Sequence, residues 1–266
     1  MKSTVVVCAG FIIGLAAAAA AVGALAPLDI TTIDLQRILY APGHDALLGY
    51  DELGRAVLPR LLVALATSLQ VAIVVVGCSA LLGTLIGIVS GWYGGATDYL
   101  LMRIVDVCMA FPGLLLAIVL AGLLGAGLGN VVIALVTVGW LGFTRLARAQ
   151  TLSVRQRDHV QAARVLGTPV TAILWRHVLP LVLTPLWVEA SLAVAGVVIA
   201  EASLSFLGLG IQAPAPSLGS MIRDGTRYML VAPHLVLAPG ITLFVLVLAI
   251  NLLGDAWRDR LGKPRA

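Results

Sequence analysis

The chain alternates between long apolar stretches and short segments that hold its charged residues. Four intervals contain no Asp, Glu, Lys or Arg: 3–28, 61–97, 107–144 and 228–254. A helix needs about 20 apolar residues to cross the hydrocarbon core of a bilayer. Each interval is long enough for that, so the pattern predicts transmembrane helices.

The apolar pattern predicts about six such helices in an all-α polytopic membrane protein. The interval 107–144 is too long for one crossing, and its glycine-rich run Gly125–Asn130 divides it into two helices joined by a tight turn. The run Gly91–Gly95 closes the helix before it. The predicted spans lie near 4–26, at 61–97, in two parts of 107–144, at 180–204 and at 236–254.

Composition excludes an ordinary soluble domain. Hydrophobic residues make up 60% of the chain and charged residues 11%, whereas soluble domains carry about 45–50% and about 25%. A soluble protein must still face water with its surface, so it cannot absorb this excess in a core. The bilayer is the remaining solvent.

The basic residues predict the orientation, because Lys and Arg are enriched in cytoplasmic loops. With the N-terminus inside, twelve of the 17 Lys and Arg fall in cytoplasmic segments. The five in outer loops are Arg37, Arg55, Arg60, Arg223 and Arg227. Both termini are therefore predicted to be cytoplasmic. The basic excess is explained by topology and does not indicate a nucleic-acid partner.

The first helix has an alternative interpretation as a secretory signal. Lys2, the apolar run and Ala24-Leu25-Ala26 resemble a signal with a small-residue cleavage site. The apolar core of a signal is about 7–15 residues long, and this run exceeds 20 residues. The length favours a retained helix.

No pattern of catalytic, metal-binding or cofactor-binding residues is found. The cysteines (Cys8, Cys78, Cys108) and the histidines (His44, His159, His177, His234) match no metal-ligand or disulfide spacing. The chain lacks the glycine-rich phosphate loop, the nucleophile elbow and the zinc-protease helix motif. We therefore expect no cofactor and no enzymatic activity.

The segment from Arg155 to Pro180 is a large loop on the predicted cytoplasmic side. Its apolar positions recur at helical spacing, Gly167 can take the left-handed conformation that ends a helix, and Thr168-Pro169 can start another. The sequence predicts a short helix, a sharp bend at Gly167 and a second helix leading to Pro180. Ala162 and Ala163 leave a low surface that either receives another protein or belongs to a plain connector.

This segment resembles a known element. The run Gln161–Gly167, followed by His177–Pro180, is similar to the EAA loop of ABC importer permeases. The resemblance implies that this helix is a coupling helix seated in a cleft of an ATPase subunit. The implied coupling residues are Gln161, Ala162, Ala163, Arg164 and Gly167. Gln161 departs from the usual glutamate, which puts in doubt any ion pair made there.

Further motifs resemble the dipeptide, oligopeptide and nickel permeases, and in particular their C-type subunit. Ala56 and Pro59 depart from the pattern of that group. The matching runs are Asp51–Arg55, Gly91–Gly95, Arg103–Asp106, Ala110–Pro112, Glu201–Gly210 and Asn251–Asp255. The resemblance implies the type I permease fold of ABC importers, a place in a bacterial inner membrane, and import of dipeptides or oligopeptides. It also implies a second homologous permease, two ATP-binding subunits and an extracytoplasmic substrate-binding protein as partners.

On this interpretation the chain has four parts. They are a first transmembrane helix at 1–28, an extracytoplasmic loop at 29–60, a five-helix core at 61–257 with the coupling loop at 150–178, and a cytoplasmic tail at 258–266. Within the core, Arg103 and Asp106 lie three residues apart and are predicted to pair with each other.

Intramembrane carboxylates are candidates for the translocation pathway or its gate, because a charge is costly there. Glu189 either faces the pathway or pairs with an arginine of another subunit. Glu201 either has a functional role or reaches the outer interface. Ser203 and Ser205 lie in the same run as Glu201, Glu201–Gly210, and are also candidates.

Three other functions remain open at this point. Nickel permeases share the same motifs, although no cluster of intramembrane His or Cys suits that metal. An ion-coupled secondary carrier would use Glu189 or Glu201 as a relay and would need no ATPase. A membrane-embedded enzyme lacks any nucleophile and base arrangement. The identity of the solute stays undetermined, because selection can reside in the binding protein.

Overall fold

The computed structural model describes residues 30–43 and 46–262, and these are mostly helical. A short 3₁₀ turn at Leu35–Arg37 precedes the first long helix. The helices are α1 Val57–Tyr93, α2 Gly95–Met109, α3 Gly113–Leu124, α4 Leu128–Val154, α5 Asp158–Val165, α6 Val170–Phe206, α7 Leu218–Thr226 and α8 His234–Gly262. The all-α architecture predicted from the sequence is confirmed over these residues.

Four of the helices (α1, α4, α6 and α8) are long and apolar enough to cross a membrane. Helices α2 and α3 meet at an angle of 86° and can together form a fifth span. The described residues therefore hold four or five of the predicted crossings. The predicted first helix, near 4–26, lies outside the described residues.

The interval 107–144 does not contain two full spans, and the prediction was wrong in this respect. Helix α3 has 12 residues and is about 18 Å long at 1.5 Å per residue, against a hydrocarbon core of about 30 Å. The break comes at Phe111-Pro112, because a proline disfavours the helical conformation of the residue before it. The turn predicted at Gly125–Asn130 is present, with Gly125 at φ +88° and Gly127 at φ +149°.

Helix α1 packs closely on α4 through glycines spaced four residues apart. Gly83, Gly87 and Gly91 lie on one face of α1. A Cβ atom on Gly87 would stand 2.5 Å from the carbonyl oxygen of Thr144 and 2.6 Å from the Cβ of Ala147. Small residues allow such backbone approach between membrane helices, where dispersion contacts drive association. The pair α1–α4 therefore forms the centre of the bundle.

We expect Gly87→Leu to prevent stable folding, because the new side chain would meet the backbone of α4. Gly77→Leu on the same helix is the matched control, since nothing lies within 4 Å of a Cβ at Gly77. Membrane abundance and thermal stability in detergent measure the effect. Equal abundance and stability of the two variants would contradict this description of the packing.

The segment before α1 is tied together by one carboxylate. Asp51 Oδ1 accepts hydrogen bonds from the backbone N–H groups of Leu53 (2.9 Å) and Arg55 (2.8 Å). Its Oδ2 lies 2.7 Å from Arg55 Nε and 3.4 Å from Arg60 Nε. The motif Asp51–Arg55 thus forms a compact turn at the start of α1.

Candidate functional site

The predicted bend of the coupling loop is present and has the geometry of a helix C-cap. Helix α5 ends at Val165, and Gly167 follows two residues later with φ +74°. The N–H of Gly167 donates to the carbonyl of Arg164 at 3.0 Å, and the N–H of Thr168 donates to that of Ala163 at 3.0 Å. These two bonds define a Schellman motif, which favours glycine at the left-handed position.

The helix after the bend differs from the prediction in two ways. Pro169, and not Thr168, holds the N-cap position, and it makes no side-chain cap bond. The helix leads to Pro180 as predicted, but it is also continuous with the predicted span at 180–204: it passes through a π-helical turn at Leu174–Val178 and ends at Phe206. Pro180 has no N–H to donate to the carbonyl of Arg176, and the π turn lies directly before this interruption of the helical bonds.

Helix α5 has one face turned to the chain and one turned away from it. Val160 and Ala163 are buried in the same apolar cluster as Ile173. On the other side, Val165 is 88% exposed and Leu166 is 82% exposed. We call the outward residues Ala162, Val165 and Leu166 the coupling surface. The two alanines are thus divided, since Ala162 faces outward and Ala163 packs inside.

Gln161 has a contact that a glutamate would lack. Its Nε2 donates to the carbonyl oxygen of Arg155 at 2.8 Å. That carbonyl lies at the C-terminal end of α4, where backbone acceptors have no partner within the helix. An ionised carboxylate at position 161 has no hydrogen to donate. Gln161, the residue that departs from the family pattern, therefore caps the C-terminal end of α4 with its side chain.

Two arginines of the loop bind the C-terminal end of α1. Arg155 Nη1 donates to the carbonyl oxygens of Gly91 (2.9 Å) and Trp92 (3.3 Å). The guanidinium carbon of Arg164 lies 4.4 Å from the centre of the Trp92 ring, a cation–π contact. Trp92 is buried. We call Trp92, Arg155 and Arg164 the Trp92 anchor, because they join α5 and the end of α4 to α1.

A second set of contacts joins the same end of α1 to α2 and α4. Arg148 Nε and Nη2 lie 2.5 Å and 2.6 Å from the two carboxylate oxygens of Asp98. The hydroxyl of Ser90 donates to the same carboxylate. Bidentate pairs of this kind fix orientation as well as distance. The α1–α2 corner is therefore held to α4 beside the Trp92 anchor.

The predicted pairing of Arg103 with Asp106 is wrong. Asp106 Oδ1 lies 2.5 Å from Arg145 Nη2, on α4. Packing of α2 along α4 brings this arginine within reach, and local spacing along α2 could not reveal it.

Glu201 is fully buried, and both of its carboxylate oxygens are bonded inside the chain. Ser68 of α1 donates to Oε2 at 2.7 Å, and Ser205 donates to Oε1 at 2.8 Å. The carboxylate therefore does not reach the outer interface. Ser205 is also buried and accepts from the N–H of Ile211 at 3.4 Å.

Glu189 and Ser203 lie on the opposite, outward face of α6. Glu189 is exposed, and a Cβ on Gly142 of α4 would stand 3.9 Å from its Oε1. Ser203 is partly exposed, and its hydroxyl donates to the carbonyl of Ile199 at 2.8 Å. The four candidates of the pathway thus separate into a buried pair and an outward pair.

No metal centre is formed by the residues that the structure describes, since they contain no group of three or more His, Cys, Asp or Glu placed to hold an ion. The rings of His159 and His177 lie 6.0 Å apart without a third ligand. The sequence motifs contained two signals for the Trp92 anchor, because Trp92 belongs to the run Gly91–Gly95 and Arg164 belongs to the run Gln161–Gly167. Arg148 and Arg155 carried no signal beyond their charge.

Comparison with known proteins identifies the family. Residues 83–264 match the family described as binding-protein-dependent transport system inner membrane component. The glutathione transport system permease protein GsiD of Pectobacterium atrosepticum is 39% identical over 263 residues, covering 98% of this chain and 87% of that protein. GsiD of an Escherichia coli strain is 39% identical over 238 residues, which cover 89% of this chain and 78% of that protein.

Solved structures agree on the fold. A chain of the MetNI methionine ABC transporter, in an inward-facing conformation, has a TM-score of 0.61 at 19% identity and covers 77% of this chain and 97% of its own length. A chain of an amino acid ABC transporter with histidines has a TM-score of 0.58 at 16% sequence identity, and the match covers 76% of this chain and 94% of that one. The predicted type I permease fold is confirmed. By its family match and its identity to GsiD, this chain belongs to the binding-protein-dependent transport system inner membrane components, which are transport subunits and not enzymes.

Proposed function

We propose that this chain is one of two permease subunits of an ATP-driven importer for small peptides. The observation that carries the proposal is the 39% identity over 98% of the chain to a glutathione permease, since glutathione is a tripeptide. The family match and the glutathione permease relatives favour this function over an ion-coupled carrier. The partners are a second permease, two ATP-binding subunits and an extracytoplasmic binding protein.

The coupling surface is the proposed contact with an ATP-binding subunit. Val165 and Leu166 expose apolar side chains next to the Gly167 bend, at the tip of a loop rich in arginine. Exposed apolar groups of this kind mark protein interfaces. Gln161 then fixes α5 to the end of α4, and Ala163 packs α5 against the core. Arg164 acts through Trp92.

The outward pair on α6 is proposed to line the translocation pathway. Glu189 and Ser203 lie on one face, whereas Glu201 and Ser205 are turned toward α1. The Ser68–Glu201 bond then acts as a gate element, because α6 cannot change its tilt against α1 without stretching it. The proposed orientation in the membrane places the connection between α4 and α6, and both termini, on the cytoplasmic side. Residues 29–60 are then extracytoplasmic.

Nickel is the second candidate solute, since nickel permeases share the motifs. The glutathione relatives favour a peptide. Direct selection of nickel by this subunit would need nitrogen or sulfur ligands, and the described residues hold no such cluster.

Reconstitution tests the function. We expect vesicles containing the two permeases, the ATP-binding subunits and the binding protein to accumulate glutathione only when ATP is supplied. The isolated chain is the control and should hydrolyse no ATP. Uptake of nickel ions but not of glutathione would show that the solute is nickel and not a peptide. Uptake driven by an ion gradient in the absence of ATP would contradict the proposed mechanism.

A further inference from the structure

Glu189 lies near the middle of α6, far from both ends of the helix. It is about 28 Å from Val170 and about 26 Å from Phe206 along α6, at 1.5 Å per residue. The helix is long and apolar enough to cross a membrane. An ionised carboxylate at this depth is costly in hydrocarbon, so it must face protein or water.

Glu189 has no partner among the residues that the structure describes. It makes no hydrogen bond and no ion pair with them, although its side chain is exposed. Arg145, one turn from Gly142 on α4, is bound to Asp106 instead. Glu201 on the same helix shows the opposite arrangement, because Ser68 and Ser205 occupy both of its oxygens.

The surroundings of Glu189 leave room for a ligand. Gly142 of α4 lies beside the carboxylate, and Gly196 lies two turns farther along the same face of α6. Nothing stands within 4 Å of a Cβ built on Gly196. Both glycines are exposed. A peptide backbone can therefore approach α6 closely next to the charge.

We propose that Glu189 binds the ammonium group of the peptide as it crosses the membrane. This inference rests on the proposed function, because it requires a solute with an amine. The amino group of a peptide has a pKa of about 7.7–8.0 and is mostly protonated at neutral pH. A carboxylate and an ammonium form a charge-assisted hydrogen bond, which is stronger than a neutral one. Glu189 would replace part of the water that the ammonium loses on entry.

The test uses the complete reconstituted transporter with Glu189→Gln and, as the matched control, Glu189→Asp. Two probes are given at concentrations that saturate the binding protein: a tripeptide with a free amine, and the same tripeptide acetylated at that amine. We expect Glu189→Gln to lower maximal uptake of the free tripeptide about tenfold, the loss of one hydrogen bond to a charged group. Glu189→Asp should retain most of it. The acetylated probe should not distinguish Glu189→Gln from the wild type.

Three outcomes would overturn the inference. Normal uptake by Glu189→Gln would show that the carboxylate is not used. Loss of the second permease from purified Glu189→Gln complexes would show that it pairs with a cation of that subunit. An equal loss for both probes would exclude recognition of the amine. In each of these cases the wild-type complex still transports the tripeptide, whereas failure of the proposed function would abolish transport by the wild type.

Discussion

Leu166→Asp is expected to abolish ATP-driven uptake while the chain remains folded in the membrane. The side chain is 82% exposed, so an aspartate there disturbs no contact within the subunit. In the assembled transporter the same position would be buried against an ATP-binding subunit. An unpaired charge buried in an interface costs about 3 kcal/mol or more, which weakens binding by more than a hundredfold.

Co-purification of the ATP-binding subunits with the variant measures this effect, alongside uptake. Leu166→Met is the matched control, because it keeps the apolar surface and a similar volume. Membrane abundance should be the same for both variants. Normal co-purification and uptake with Leu166→Asp would show that the coupling surface is not a contact, and the loop would be a connector.

The second large effect is expected when the Trp92 anchor is removed. A double variant, Arg155→Met with Arg164→Met, keeps the aliphatic stems but loses the bonds to Gly91 and Trp92. Helix α5 would still present its coupling surface, yet its movement would no longer be passed to α1. We expect uptake to fall about tenfold while ATP hydrolysis continues, since the lost contacts are each worth about 1–2 kcal/mol.

The readout is the ratio of peptide taken up to ATP hydrolysed. Arg157→Met is the matched control, because Arg157 is exposed on the same loop and caps α5 only through its backbone. That variant should keep the wild-type ratio. If uptake and hydrolysis fall in parallel in the double variant, the two arginines serve docking and not transmission.

Local chemistry made part of this structure predictable. The end of α1 at Gly94, the turn at Gly125 and the bend at Gly167 each place a glycine at positive φ, and the sequence marks such positions directly. The long helices also follow from the length of their apolar runs. The 86° angle between α2 and α3 could not be predicted from hydropathy. The number of apolar residues in a run says nothing about the direction in which the next helix leaves. Pro112 was the signal that could have indicated it.

The contacts between distant parts of the chain could not be predicted in the same way. Trp92 meets Arg164 only after α1 and α5 have packed together, and Asp98 meets Arg148 only after α2 and α4 have done so. The two carboxylates of α6 illustrate the same limit. Glu189 and Glu201 look alike in an apolar run, and only the packing of α6 against α1 shows that one is bonded inside and the other faces outward.

Cross-linking from position 166 tests most directly whether the coupling surface binds an ATP-binding subunit. The measurement uses a chain in which Cys8, Cys78 and Cys108 are replaced by serine and a single cysteine is introduced as L166C. A control chain carries L230C, at a fully exposed leucine between α7 and α8. In the assembled transporter, a short bifunctional maleimide should join L166C, but not L230C, to an ATP-binding subunit with one introduced surface cysteine near its cleft. Absence of a product with L166C, or a product with L230C, would contradict the account.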